Sequence, residues 1–297
     1  MSHVLTLVAP PGALSHALVA RVRYALAALG TVGAPDWLAA DEAADIPFGG
    51  ADPGAATAAI RTALQNEPVD AIATAAVGRR KRLLVADMDS TVVTTETLDE
   101  LADHAGIKEA IAAITRRSMN GELDFAAALR ERVAMLRGLP VSALAATYAR
   151  TVPSPGARAL ARTMAANGAV TAIASGGFTY FTARIAEECG FALHVANVLL
   201  TEGDVLAGTV AEPIFDANGK LATLRDLASR HGLPLSAALA VGDGANDLPM
   251  LGAAGLGVAY RAKPVVAAAA RARVDHADLR ALLFAQGYRA GEIAPDT

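Results

Sequence analysis

Apolar residues follow two different patterns along the chain, and the pattern changes near residue 80. The first part mixes alternating runs, which are typical of strands, with apolar residues at helical spacing. Its predicted elements are, in chain order, a strand over 3–8, a helix over 15–29, an extended segment over 35–40, a chain break over 47–50, a helix over 52–65 and a strand over 69–77. This order predicts a small α+β domain of ferredoxin-like type over residues 1–78.

Residues 79–297 alternate short apolar runs with helical stretches, which indicates a parallel sheet covered by helices on both faces. The predicted strands lie over 83–86, 170–174, 238–241 and 256–259. Residues 96–150 interrupt this alternation because they are almost purely helical, with an amphipathic helix over 122–140. We interpret them as a cap over the edge of the sheet. A hairpin is predicted over 195–210.

Composition and charge exclude several classes of protein. The chain has 297 residues, 53% of them hydrophobic, and a net charge of −4, so a nucleic-acid partner is not expected. The basic cluster at 79–82 is short, and we interpret it as a solvated connector. The N-terminus lacks the features of a signal peptide and no run of 18 apolar residues occurs, so we expect a cytoplasmic protein without membrane spans. The single cysteine, Cys189, is expected to pack in the core.

Reactive and polar residues follow the predicted strands at one end. In a parallel sheet this carboxyl edge is where ligands bind. The residues are Asp87 and Asp89 after the first strand, Ser175, Gly176 and Gly177 after the second, Asp243, Asn246 and Asp247 after the third, and Lys220 after a turn that precedes the third. A strand that ends in Asp, Ser and Thr is also typical of an ordinary turn, so residues 87–91 alone do not decide between the two interpretations.

Together these residues suit phosphoryl transfer. A carboxylate such as Asp87 can attack phosphorus and form an aspartyl-phosphate, with Asp89 as the proton shuttle. Mg²⁺ prefers oxygen ligands, which Asp87, Asp243 and the main-chain carbonyl of Asp89 can supply. The hydroxyl of Ser175 and the N–H groups of the glycines after it, expected to be free at a helix start, would hold phosphate oxygens. Lys220 would add a fixed positive charge.

Four segments, in this order, resemble the motifs of the haloacid dehalogenase-like phosphatases. They are DMDST at 87–91, SGGF at 175–178, the lysine at 220 and GDGANDLPM at 242–250. A glutamate soon after the first motif, Glu96, and an arginine in the helical insertion, Arg132, extend the resemblance to the phosphoserine phosphatase family. The resemblance covers residues 80–290 and implies a Rossmann-like parallel sheet with a helical cap.

The resemblance also implies roles for individual residues. Asp87 would be the nucleophile, Asp89 the general acid and base, and Lys220 the partner of the phosphate and of Asp87. The implied Mg²⁺ site consists of Asp87, Asp89, Asp243 and, in a supporting position, Asp247. The implied substrate contacts are Glu96 with an ammonium group, Arg132 with a carboxylate, Ser175, Gly176 and Asn246 with the phosphate, and Met119 and Phe125 as an apolar wall of the cap.

Ordinary structural roles are open for several of these residues. They are surface charges for Glu96 and Arg132, core packing for Met119 and Phe125, and helix capping for Asp247. Two further acids in the insertion, Asp99 and Asp103, follow Glu96 on the same helical stretch, and we expect them to be solvated.

The resemblance implies an Mg²⁺-dependent enzyme that hydrolyses O-phospho-L-serine to L-serine and phosphate, the last step of serine biosynthesis. Two alternatives are open. One is a phosphatase or phosphotransferase for another small phosphorylated metabolite, such as the homoserine ester, and the other is a non-catalytic sensor of phosphate or serine. Residues 1–78 resemble the amino-acid-binding regulatory modules of ACT type, which implies regulation or homodimerisation. The strand at 3–8 is expected to offer an edge for pairing between subunits.

Overall fold

The computed structural model describes residues 1–64, 67–119 and 122–297, and of Met119 only the backbone. The first part forms an antiparallel sheet with two helices. The strands are β1 (His3–Val8), β2 (Thr31–Val32), β3 (Asp36–Ala39), β4 (Ala43–Gly49) and β5 (Asp70–Ala75), and the helices are α1 (His16–Ala27) and α2 (Pro53–Leu64). The strand order β2-β4-β1-β5, with β3 also paired to β4, confirms the predicted ferredoxin-like arrangement.

Local side chains explain where the two helices begin. Ser15 accepts a hydrogen bond from the main-chain N–H of Leu18, and Asp52 accepts the N–H groups of Gly54 and Ala55. Such oxygens satisfy N–H groups that have no partner inside the helix. The buried residues of α1 recur at helical spacing and pack onto the sheet; they are Leu18, Val19, Val22 and Leu26.

Two predictions about this sheet are wrong. The chain break at 47–50 is absent, because Pro47 and Phe48 lie inside β4 and Phe48 is buried in the core. Burial of alternate apolar side chains outweighs the local Pro-Gly signal there. The strand at 3–8 also offers no free edge, because β1 lies between β4 and β5 and pairs with both.

The second sheet is parallel and has six strands in the order β13-β12-β11-β6-β7-β8. Its strands are β6 (Leu83–Ala86), β7 (Val170–Phe178), β8 (Leu193–Asn197), β11 (Ala238–Gly242), β12 (Leu256–Tyr260) and β13 (Ala272–Val274). The helices around it are α7 (Ala157–Ala166), α8 (Thr179–Cys189), α9 (Ala217–Arg230), α10 (Leu248–Ala253), α11 (Pro264–Ala269) and α12 (Ala281–Phe284). The predicted doubly covered sheet is confirmed. Among the described residues, no helix has the length and apolarity needed to cross a membrane.

The insertion after β6 forms the cap. Its helices are α3 (Thr97–Asp103), α4 (Lys108–Met119), α5 (Phe125–Ala134) and α6 (Ser142–Tyr148). Helix α5 ends earlier than predicted, because Gly138 and Leu139 exchange main-chain hydrogen bonds with Leu206. Leu206 belongs to the hairpin of β9 (Leu199–Glu202) and β10 (Val205–Val210). This hairpin begins later than predicted, since 193–197 is the edge strand of the main sheet.

The two sheets are joined by buried polar contacts. The guanidinium of Arg79 forms an ion pair of 2.5 Å with Asp45, and its side chain is only 14% exposed. The interpretation of the basic cluster as a solvated connector is therefore wrong for its first residue. Asp70 accepts hydrogen bonds from three consecutive N–H groups at 275–277. The first sheet is thus tied directly to the last part of the described chain.

Candidate active site

The centre of the parallel sheet places the predicted site residues. Strands β6 and β11 are buried along their whole lengths, and β6 lies where the order of the strands changes direction. Ligands of open α/β sheets bind at such a switch point. Asp87 directly follows β6, and its N–H donates to the carbonyl of Val241 in β11, so the ends of both strands lie side by side.

Three carboxylates and a lysine meet at this edge. Oxygens of Asp87, Asp243 and Asp247 lie within 4.8 Å of one another, and all three residues are buried. The Nζ of Lys220, in α9, lies 2.8 Å from Asp87 Oδ1 and 2.7 Å from Asp247 Oδ1. Burial alone would lower the pKa of Lys220, but Asp247 and Asp87 raise it above the usual value. Lys220 therefore stays protonated and holds both carboxylates.

The charge of this cluster is incompletely balanced. Oδ2 of Asp243 is buried and receives no hydrogen bond from the described residues, and its ion pair with Lys263 is long, at 3.4 Å. Burial, and then the charge of Asp247, raises the pKa of Asp87 and brings that of Asp243 to about 7. Convergent oxygens with excess negative charge fit a hard divalent cation such as Mg²⁺.

A glycine that sequence reasoning did not single out makes room for this cluster. A Cβ on Gly242 would lie 2.3 Å from Cγ of Asp247, so no side chain fits there. Oδ2 of Asp247 accepts the N–H groups of Asp243 and Gly244 at 3.1 and 3.0 Å. Asp247 thus holds the loop after β11 in shape while its other oxygen binds Lys220. The first glycine of the motif at 242–250 was the available signal.

Asp89 lies in the turn after Asp87. The turn needs a left-handed residue, Ser90 with φ 54°, and it directs Asp89 so that Oδ1 accepts the N–H of Thr97 at 2.8 Å. Burial raises the pKa of Asp89 to about 6, against the opposing effect of Thr97. A Cβ on Gly177 would lie 2.7 Å from Asp89 Oδ2, so β7 passes directly beside this carboxyl.

The SGG segment differs from the prediction in one respect. Gly176 and Gly177 lie within β7 rather than at a helix start, and the N–H of Gly177 donates to Oγ of Ser175 at 2.9 Å. That N–H is therefore already engaged. A buried side chain missed by sequence reasoning, Asn197, donates to the carbonyls of Gly176 and Phe215. It fixes the segment against the loop that leads to Lys220, and a lone asparagine at a strand end gave little signal.

The cap closes over this edge with two charged residues and a ring. Glu96 accepts the hydroxyl of Ser90 at 2.6 Å, and burial, followed by the charge of Asp89, raises the pKa of Glu96 to about 8. Arg132 is 6% exposed. The ring of Phe125 lies so close to Gly176 that a Cβ there would be 2.6 Å from it.

One cavity of about 50 Å³ collects most of the predicted residues. Those that line it are Asp87, Asp89, Glu96, Phe125, Arg132, Ser175, Gly176 and Asn246. Lys220, Asp243 and Asp247 are in the carboxylate cluster around Asp87. The side chain of Met119 lies outside the described residues.

The expectation that both further acids of the cap are solvated is wrong for one of them. Asp103 is half-exposed and pairs with Arg150. Asp99 is only 9% exposed and accepts the hydroxyl of Thr115 at 2.7 Å. Its partner is sixteen residues away in the next helix, so local periodicity could not reveal the contact.

In comparisons with known proteins, the family profile and the related sequences indicate the same kind of hydrolase. A profile of the haloacid dehalogenase-like hydrolases matches residues 84–252. Phosphoserine phosphatase SerB2 of Mycobacterium tuberculosis is 44% identical over 215 residues, which are 72% of this chain and 53% of that protein. The phosphoserine phosphatase of Streptococcus thermophilus is 44% identical over 199 residues, 67% of this chain and 93% of that one.

Solved structures with a similar fold also include a probable phosphoserine phosphatase. The crystal structure of a probable phosphoserine phosphatase from Vibrio cholerae superposes with a TM-score of 0.77 at 30% identity, over 98% of this chain and 88% of that one. The chain spans about half the length of the mycobacterial relative, but nearly all of the streptococcal one. The chain therefore belongs to the haloacid dehalogenase-like hydrolase family, and within it to the group of the phosphoserine phosphatases.

Proposed function

We propose that this protein hydrolyses O-phospho-L-serine to L-serine and phosphate, through an aspartyl-phosphate on Asp87 and with Mg²⁺. One observation carries the proposal: the paired acids Asp87 and Asp89 share a small cavity with Glu96 and Arg132. The first two residues suit phosphoryl transfer, while the last two offer one negative and one positive partner to an amino acid. The names of the curated relatives support the same substrate.

Asp87 is the nucleophile in this proposal. Its Oδ1 accepts a hydrogen bond from the N–H of Met88 and forms an ion pair with Nζ of Lys220, both at 2.8 Å. We therefore assign attack on phosphorus to Oδ2. As the Oδ2–P bond forms, the bond from phosphorus to the serine oxygen breaks. Mg²⁺ held by Asp87, Asp243 and the carbonyl of Asp89, with Asp247 in support, would reduce the repulsion between the carboxylate and the phosphate.

Asp89 handles the protons. Its pKa, raised to about 6, is high enough for the carboxyl to donate a proton to the departing serine oxygen. The resulting carboxylate then takes a proton from the water that attacks the aspartyl-phosphate, which releases phosphate and restores Asp87. A single residue serves both steps because the second step reverses the first in acid and base roles.

Glu96 and Arg132 select the substrate. Burial makes the free carboxylate of Glu96 costly, and a bound ammonium group would compensate its charge. Arg132 can meet a carboxylate with two parallel hydrogen bonds. A phosphate monoester that lacks either group forfeits one of these contacts, which is the basis of the expected preference for phosphoserine.

The test is phosphate release from O-phospho-L-serine, with Mg²⁺ and with a chelator. Phosphothreonine, phosphohomoserine and glycerol phosphate serve as competing substrates. Fast, Mg²⁺-dependent release from phosphoserine alone supports the reaction, the metal and the substrate together. Faster release from another ester rejects the substrate but keeps the chemistry of Asp87. No release from any ester by the folded protein rejects the enzyme and favours a sensor.

A further inference from the structure

A buried series of hydrogen bonds links three of the cap helices, α3, α4 and α5, and ends at Arg132. In α5, Nη1 of Arg132 donates to Oγ1 of Thr115 at 2.9 Å. In α4, the hydroxyl of Thr115 donates to Oδ1 of Asp99 in α3, at 2.7 Å. All three residues are at most 9% exposed. These hydrogen bonds therefore connect the substrate side of the cap with Asp99, a carboxylate that has no role in the proposed reaction steps.

The chemistry of the groups fixes the direction of this series of hydrogen bonds. A guanidinium can only donate, so Thr115 Oγ1 accepts from Arg132 and must direct its own proton elsewhere. Two acceptors are in range, Asp99 at 2.7 Å and the carbonyl of Ile111 at 3.1 Å. The hydrogen bond to the carboxylate is shorter and charge-assisted, which makes it the stronger of the two. Asp99 thus orients the hydroxyl that holds Arg132.

The same series of hydrogen bonds leaves part of the guanidinium available. Nε of Arg132 donates to the carbonyl of Ala128, one turn earlier in α5, and Nη1 donates to Thr115. Among the hydrogen bonds of the described residues, none uses Nη2. Two of the donor nitrogens are thus fixed by the cap, which turns the guanidinium into a rigid group with a defined free side.

Asp99 also compensates charge without occupying the site. Burial lowers the pKa of Arg132, and Asp99, Glu96 and Asp89 oppose this effect. Glu96 and Asp89 line the cavity, where a substrate ammonium and a leaving oxygen would engage them. Asp99 is outside the lining of that cavity as the described residues define it. It is the carboxylate that can balance Arg132 throughout the reaction.

We propose that Asp99 is a positioning residue which, through the hydroxyl of Thr115, holds the Arg132 guanidinium in place and so creates the preference for a substrate with a carboxylate. The inference rests on the proposed function. It assigns no substrate contact to Asp99.

The test compares two esters that differ only in the carboxylate, O-phospho-L-serine and O-phosphoethanolamine. Asp99→Asn removes the charge, Thr115→Val removes the relay and Thr115→Ser retains the hydroxyl. We expect the first two variants to raise KM for phosphoserine about ten- to a hundredfold, the effect of losing a charged hydrogen bond, with little change for phosphoethanolamine. Thr115→Ser should behave as the unmodified protein. Asp103→Asn is the matched control, since this acid lies on the same helix but pairs with Arg150.

A merely structural role gives different results. Equal losses for both esters, together with a lower Tm, would show that Asp99 supports only the fold of the cap. In an Arg132→Ala background, Asp99→Asn should no longer change the ratio of kcat/KM for the two esters, and a further change would overturn the proposal. If the unmodified protein shows no preference for the carboxylate, the substrate assignment and this inference fall together. If it shows the preference and Asp99→Asn keeps it, only this inference falls.

Discussion

The buried aspartates at the joint between the two sheets and those at the edge of the parallel sheet differ in how completely their oxygens are hydrogen-bonded. At the joint between the sheets, Asp70 accepts three main-chain N–H groups, and Asp45 is bound by Arg79 and by the hydroxyl of Thr6. At the edge of the parallel sheet, Asp243 keeps a buried oxygen without a hydrogen bond from the described residues. Both regions remove carboxylates from water, but at the joint each oxygen of Asp70 and Asp45 receives a hydrogen bond.

The difference distinguishes an aspartate that holds the fold from one that is available for chemistry. A buried polar group with all its partners is stable in one arrangement. A buried carboxylate oxygen without a hydrogen-bond partner can still bind a cation or a substrate. When neither is bound, it lowers the stability of the folded protein. We therefore expect that binding of a cation or a substrate at the cluster around Asp87 stabilises the folded protein.

The largest expected effect is on activity. Asp87→Asn should lower kcat by a factor on the order of 10⁵, as in other hydrolases that lose their nucleophile or its activating group. The amide is a poor nucleophile. Because it keeps the size of the carboxyl, the fold should persist. Phosphate release and thermal unfolding of the same sample measure both quantities. Activity close to that of the unmodified protein would remove Asp87 from the mechanism.

The joint should show its largest effect in stability. Asp70→Ala leaves three N–H groups at 275–277 without their acceptor, and we expect the free energy of unfolding to fall by about 3 kcal/mol. Denaturant unfolding measures it. The matched control is Asp36→Ala, which breaks a half-exposed ion pair with Arg289 and should cost at most about 1 kcal/mol. Equal losses in the two variants would contradict the distinction.

A smaller effect of opposite sign is expected at the cluster. Without metal at pH 8, Asp243→Asn should raise the free energy of unfolding by about 1–2 kcal/mol, because it removes a poorly compensated charge. The gain should shrink towards pH 5. The pKa of Asp243 is raised to about 7, so the folded protein loses stability as the pH rises through the range between the usual value and 7.

Metal sharpens the same experiment. Mg²⁺ should raise the Tm of the unmodified protein, since a ligand that binds only the folded state stabilises it. In Asp243→Asn this increase should be reduced or absent. The corresponding change at the joint, Asp45→Asn, should lower stability and leave the response to Mg²⁺ intact. A full response to Mg²⁺ in Asp243→Asn would exclude this residue as a ligand.

The smallest expected effect concerns a buried group in neither region. Burial raises the pKa of Cys189 to about 12. The thiolate is the reactive form, so iodoacetamide at pH 8 should leave the folded protein unmodified and label it fully in denaturant. Mass spectrometry reads the result. Rapid labelling of the folded protein would show that α8 opens readily.

The sequence predicts best where chemistry and chain order coincide. The strands before Asp87 and Asp243 are short, uninterrupted apolar runs, and the residues after them must lie at one edge because the strands are parallel. Contacts between distant segments are a different matter. Nothing near Asp99 indicates Thr115, and nothing near Arg79 indicates Asp45, because each pair meets only when separate elements pack. Pro47 misleads for a related reason, since the burial of its neighbours decides the strand.

The hydrogen bonds of Asp70 also determine the order in which parts of the protein can fold during synthesis. Their partners are 205 to 207 residues further along, so a ribosome must make almost the whole described sequence before the first sheet can complete its joint. Closing so long a loop is entropically costly and slow. The strands of the first sheet all lie within residues 3–75 and can pair earlier, but the sheet gains its contacts with 275–277 only when the last strand of the large sheet has been made. The contacts that hold the two sheets together therefore form only after residues 275–277 have been made.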